Sequence, residues 1–82
     1  MIEMKYVVVK SEEDGEKLFI FPKSVNHDAF AEVLSYIKVG DRNWKRIYRE
    51  PISAGFTDGV TCYGRSESLD LKSRPEDTEL LK

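Results

Sequence analysis

The sequence predicts an α+β fold: ββαββ order, an antiparallel sheet of about four strands, one helix on one face, and a short C-terminal helix. Three observations predict it. Two apolar, β-rich runs between residues 5 and 21 flank a polar loop ending in glycine. An amphipathic segment with a complete helix-start signal follows from residue 25. After residue 44, aromatic and β-branched residues return and are broken by turn residues.

Lys5 to Lys10 is rich in valine, and a run that is apolar on both faces suits a central strand. Ser11-Glu-Glu-Asp-Gly15 supplies the turn, with Gly15 free to take a positive φ. Lys17-Leu-Phe-Ile-Phe21 is the second strand, stopped by Pro22. Asn26 is a good N-cap, Asp28 puts negative charge in the first turn, and Val25 with Phe30 forms a hydrophobic staple. Phe30, Val33, Leu34 and Ile37 recur at helical spacing, and Gly40 sits at a C′ position, so the helix is expected from about His27 to Val39.

Asp41-Arg-Asn43 reads as a turn. Trp44 to Ser53 reads as one strand, with Trp44, Tyr48 and Ile52 on one face and Lys45, Ile47 and Arg49 on the other. Pro51 lacks an N–H and points to an edge or a bulge. Asp58-Gly59 is a turn signal, and Val60 to Tyr63 a short fourth strand. Residues 1–82 make one domain, with 64–82 a less regular tail. Within it Ser73-Arg-Pro-Glu76 has the form of a capping box, which places a short helix through Leu81. Leu69, Leu71, Leu80 and Leu81 are suited to dock that tail on the sheet or on a second copy.

Composition excludes several function classes. At 82 residues, a chain buries only about 60–65% of its unfolded surface and is stable by about 3–5 kcal/mol. Homodimerisation is the expected supplement, because Cys62 is the only cysteine and His27 the only histidine. They allow neither an internal disulfide nor a four-ligand zinc site, so no metal or cofactor is expected. A lone thiol suits a reducing cytoplasm. Glu3 stands where a signal peptide carries basic residues, and the apolar run at 6–9 is too short to span a membrane. The expectation is a soluble cytoplasmic protein.

No catalytic signature stands out. His27 and Asp28 are adjacent, so their side chains diverge on a helix, and no oxyanion group accompanies a Cys62–His27 pairing. His27 is expected exposed at the helix start, and Cys62 as a small buried strand residue. Gly64-Arg-Ser-Glu-Ser68 lacks nucleophile-elbow spacing and reads as a turn whose serines bond local backbone. Glu12, Glu13, Asp14 and Glu16 lack the spacing of a calcium loop. The expectation is a protein that is not an enzyme.

One surface is uneven. Between residues 38 and 49, Lys38, Arg42, Lys45, Arg46 and Arg49 face a single acid, Asp41, whereas residues 1–16 carry five acids against Lys5 and Lys10. Trp44 and Tyr48 interleave with the basic residues. Arg42, Trp44, Lys45, Arg46, Tyr48 and Arg49 are therefore the candidate binding residues. Tryptophan, tyrosine and arginine anchor protein interfaces, and arginine beside aromatics also holds single-stranded nucleic acid. Trp44 and Tyr48 could equally be core residues beneath the helix. The net charge of −2 weighs against nucleic acid, where cationic contacts supply most of the affinity.

Phe19-Ile-Phe-Pro22, Val25-Asn-His-Asp-Ala-Phe30, Tyr48-Arg-Glu-Pro-Ile-Ser-Ala-Gly-Phe56, and Gly64-Arg-Ser-Glu-Ser-Leu through Ser73-Arg-Pro-Glu-Asp-Thr78 together resemble short uncharacterised bacteriophage and prophage proteins. The resemblance implies an accessory protein acting in a bacterial cytoplasm, and it carries no activity or site residue. The expected function is protein–protein interaction. The alternative is nucleic-acid binding by strand 42–49.

Overall fold

The computed structural model describes residues 2–11, 15–34, 36–39, 43–46 and 50–81. Eight strands are described: β1 (Met4–Ser11), β2 (Gly15–Phe21), β3 (Tyr36–Val39), β4 (Asn43–Arg46), β5 (Glu50–Thr57), β6 (Cys62–Tyr63), β7 (Arg65–Ser66) and β8 (Leu71–Lys72). Helix α1 (His27–Leu34) follows β2, and a 3-10 helix (Pro75–Leu81) ends the order. The fold is α+β, built on an antiparallel four-stranded sheet of order β2-β1-β5-β6. Its element order is longer than the expected ββαββ. A separate two-stranded ribbon, β3–β4, stands between α1 and β5, and a third small sheet pairs β7 with β8.

The valine run of β1 lies between β2 and β5, and Tyr6, Val7, Val8 and Val9 are all buried. A strand buried on both faces has no reason to alternate polar and apolar residues. Toward one face, Val7 and Val9 join Phe21 and Ala54, with Phe30, Leu34, Leu69 and Leu71 packed against them. Phe21 and Phe30 stack at 4.2 Å. Burying each such side chain stabilises the fold by about 1.5–3 kcal/mol. On the other face, the Tyr6 hydroxyl reaches the 3-10 helix and donates to Asp77 Oδ2 at 2.6 Å.

Several expectations need correction. Helix α1 ends at Leu34, and Tyr36–Val39 is a strand instead of a continuation to Val39. Tyr36, Ile37 and Val39 are aromatic or β-branched and gain ladder partners in Asn43–Arg46, which helix extension could not offer. Val33 is 68% exposed, so the core-facing stripe runs through buried His27 and Ala31 and part-buried Phe30 and Leu34 instead. The predicted strand from Trp44 to Ser53 is two strands, β4 and β5. Pro51 does sit at a bulge: the β1–β5 register shifts between Val8 and Val9, where Val8 faces Ser53 and Val9 faces Pro51. Gly15 closes the first hairpin with φ +74°, while 12–14, Ser35 and Gly40 lie outside the described residues.

The tail from 64 onward is integral to the packing, since Ser66 and Asp77 are each about fully buried. The capping pair also shifts by one residue. The Arg74 backbone N–H donates to Asp77 Oδ2 at 2.9 Å, a contact the Ser73/Glu76 spacing had suggested one position earlier.

Candidate functional site

Three places bear on function: the β3–β4 ribbon, a cleft over α1, and the buried network beneath the 3-10 helix. Of the candidate binding residues, Trp44, Lys45 and Arg46 lie on β4. Arg42, Tyr48 and Arg49 lie outside the described residues. The partner strand β3 brings in Tyr36 and Lys38, which a helical reading had placed elsewhere. Tyr36 pairs with Arg46, Ile37 with Lys45, Lys38 with Trp44, and Val39 with Asn43. The signal that could have found them is the alternation of Tyr36-Ile37-Lys38-Val39, which has the strand period of two.

The cleft has a volume of about 530 Å³ and is lined by Lys5, Asn26, His27, Phe56 and residues 64–68. His27 is only 4% exposed, which corrects the expectation of an exposed helix-start histidine. Its Nε2–H donates to the Gly55 carbonyl at 2.8 Å, and its ring meets Phe21 and Phe56 edge-on at 5.4 and 5.8 Å. That bond fixes the tautomer. Burial holds the imidazole below its ordinary pKa, opposed by the Gly55 hydrogen bond and assisted by the Lys5 ammonium.

Gly55 is required here for a second reason. A Cβ at this position would lie 2.4 Å from the Tyr63 carbonyl oxygen on β6, so only glycine lets β5 and β6 approach. Several other lining side chains are engaged in hydrogen bonds with the surrounding backbone. The Lys5 ammonium donates to the Val25 carbonyl at 2.9 Å. Ser68 Oγ accepts from the Asp28 backbone N–H, and Ser66 Oγ from the Leu69 N–H, each at 3.3 Å.

Cys62 belongs to the opposite side of the sheet. Burial pushes its thiol pKa up, and its neighbours are Thr57, Asp77 and Tyr6, while His27 packs with Phe21 and Phe56. The sheet therefore separates the two residues of the imagined Cys–His pairing.

Beneath the 3-10 helix, Asp77 is fully buried. It accepts from the Tyr6 hydroxyl, from the Arg74 backbone, and from Arg74 Nε at 2.9 Å. Arg74 Nη2 also bridges to Glu16 at 2.8 Å, tying the helix to β2. Burial alone would raise the Asp77 pKa, but the Tyr6 and Arg74 hydrogen bonds outweigh it and hold the carboxyl below its ordinary value. Ser53 stands close enough to add to that lowering, although no hydrogen bond of ordinary geometry joins its hydroxyl to a partner.

Among the described residues, no group of three or more His, Cys, Asp or Glu side chains is placed to hold a metal ion. No helix among them is long and apolar enough to cross a membrane. The fold and these sites define a small α+β domain. In comparisons with protein-family models, curated proteins and solved structures, nothing matches the chain.

Proposed function

We propose that this is a small non-enzymatic interaction protein, a phage or prophage accessory protein that works in a bacterial cytoplasm by contacting another protein through the β3–β4 ribbon. The observation that carries this reading is the placement of Trp44, Lys45 and Arg46 on a ribbon hydrogen-bonded apart from the four-stranded sheet. Tryptophan and arginine are also the residue types that dominate interface energetics. The remaining candidates, Arg42, Tyr48 and Arg49, flank the same strand in sequence.

The test is affinity capture from bacterial lysate with the wild type and an Arg46→Ala/Arg49→Ala double variant. Loss of a specific protein from the variant's eluate is expected. Recovery of the same proteins by both would refute the surface assignment. Self-association is part of the proposal and is read by light scattering, with a dimer as the expected mass.

Nucleic-acid binding is the second reading, favoured by the pairing of aromatic with basic positions across the ribbon. It requires retention on an oligonucleotide column that weakens steeply with salt.

A further inference from the structure

The cleft over α1 keeps hydrogen-bonding groups that the fold does not use. Its volume of about 530 Å³ falls within the range of small-molecule sites. Asn26 stands at the N-cap of α1, where its side chain would ordinarily accept from the second or third helical N–H. Both are taken by other groups. Ser68 Oγ accepts the Asp28 N–H at 3.3 Å, and Asp28 Oδ1 accepts the Ala29 N–H at 2.9 Å. The exposed Asn26 amide therefore lines the cleft with no hydrogen bond to a described residue.

His27 supplies a second unused group. Its Nε2 carries the proton given to the Gly55 carbonyl, which leaves Nδ1 as an acceptor. No described residue donates to Nδ1. Ser53 Oγ is the only buried side-chain nitrogen or oxygen among the described residues without a partner, so Nδ1 opens on the cleft that His27 lines. Lys5 and Arg65 edge the same space. The Lys5 ammonium gives one hydrogen to the Val25 carbonyl and keeps the others. Arg65 Nη2 meets Asp70 at 3.3 Å between exposed side chains, a contact that contributes little. Glu67 is the one acid in the lining.

We propose that this cleft binds a small molecule bearing an oxyanion, either a phosphate or a carboxylate. The Asn26 amide, the Lys5 ammonium and the Arg65 guanidinium donate to the anionic group, and His27 Nδ1 accepts from a neighbouring hydroxyl of the ligand. The ligand's carbon frame lies against Phe56. Two cations and an amide outweigh the Glu67 carboxylate, so the cleft favours anions over cations. The site goes beyond the interaction reading above and involves no residue of the ribbon.

His27 is the only histidine, so its ring protons give an isolated NMR signal inside the site. The experiment titrates the full chain at pH 7 and constant ionic strength with glycerol 3-phosphate, lactate, inorganic phosphate and sodium chloride. A saturable shift of the His27 signal is expected with glycerol 3-phosphate or lactate, and the tighter of the two identifies the anion. Inorganic phosphate lacks the hydroxyl for Nδ1 and should bind at least about threefold more weakly than glycerol 3-phosphate. Asn26→Ala and Arg65→Gln should each weaken the tighter ligand about threefold or more. Lys10 is exposed and stands about 17 Å along β1 from Lys5, so Lys10→Gln should leave binding within about twofold. Far-UV circular dichroism checks each variant. If Asn26→Ala disturbs α1, the exposed Arg65→Gln carries the test.

A shift with sodium chloride equal to that with the organic anions, or no saturable shift with either of them, would overturn the site. Equal losses for Lys10→Gln and Arg65→Gln would reduce the effect to general charge attraction and refute it as well. Inorganic phosphate binding as tightly as glycerol 3-phosphate would remove His27 Nδ1 from the ligand contacts.

Discussion

Replacing Asp77 by asparagine removes one charge at nearly constant volume from a buried side chain that accepts several hydrogen bonds. Asp77 is fully buried and receives the Tyr6 hydroxyl at 2.6 Å, the Arg74 backbone N–H at 2.9 Å and Arg74 Nε at 2.9 Å. Hydrogen bonds to a charged group contribute about 1.5–3 kcal/mol each. The asparagine Oδ1 can keep part of this set, but its NH₂ group turns a donor toward the Arg74 donors. Breaking a buried ion pair costs about 3–5 kcal/mol. Glu16 still accepts from Arg74 Nη2, so the lower end applies, about 3 kcal/mol. That is most of the stability of about 3–5 kcal/mol open to a chain of this size.

Urea unfolding at pH 7, followed by far-UV circular dichroism, measures the loss. The same pair of proteins tests the pH dependence. The folded-state pKa of Asp77 is lowered, so its stabilisation is present above the unfolded value of about 3.9. It disappears as pH falls through the lower folded value. Wild type should therefore lose stability on acidification more steeply than Asp77→Asn. A loss below about 1 kcal/mol, or parallel acid profiles for the two proteins, would refute the reasoning.

Gly55→Ala should cost about 1–3 kcal/mol in thermal melts, since the added Cβ meets the Tyr63 carbonyl oxygen; an unchanged melting temperature would show that β5 and β6 are further apart. His27 should titrate below the usual value of about 6.5 in NMR, because burial disfavours its cation. Its contribution to stability is then complete above that pH and declines as pH falls through the lower folded pKa, and His27→Gln should flatten that decline. The Tyr63 phenol is pushed up to about 12, chiefly by its hydrogen bond to Glu3. Ultraviolet titration should show Glu3→Gln bringing it back toward about 10, and identical curves would exclude the contact.

Much of the fold was legible locally. The β1 run from Tyr6 to Val9 announced a central strand because four consecutive apolar residues can be satisfied only by burial on both faces. Asn26 and Val25 marked the start of α1, and the Asn26 carbonyl accepts the Phe30 N–H at 3.1 Å. Asp58-Gly59 marked its turn, where Asp58 Oδ1 accepts the backbone N–H groups of Val60 and Thr61 at 2.8 Å. Such signals act within a few residues, so composition and spacing carry them. The end of α1 was misread because Ile37 suits a helical stripe and a strand equally well, and only the availability of Asn43–Arg46 as ladder partners tips the balance.

The candidate sites were less legible. The basic and aromatic character of 42–49 is a property of the sequence alone, visible as an excess of cations in an acidic chain. Its arrangement is not. Lys38 and Trp44 share a ribbon face through pairing, and no periodicity within either segment dictates which residues pair. Likewise, the Tyr6–Asp77 bond joins residues 71 apart, and His27 finds its acceptor 28 residues away. The sequence by itself determined the strand-rich start, the start of the helix, the turn at Asp58-Gly59 and the uneven charge, because each follows from local backbone preference and side-chain chemistry. Tertiary structure decided the burial of His27, the need for glycine at 55, the locking of the tail by Asp77 and the makeup of the ribbon face. Those depend on which distant backbone segment arrives alongside, and that is settled by the packing of the whole core.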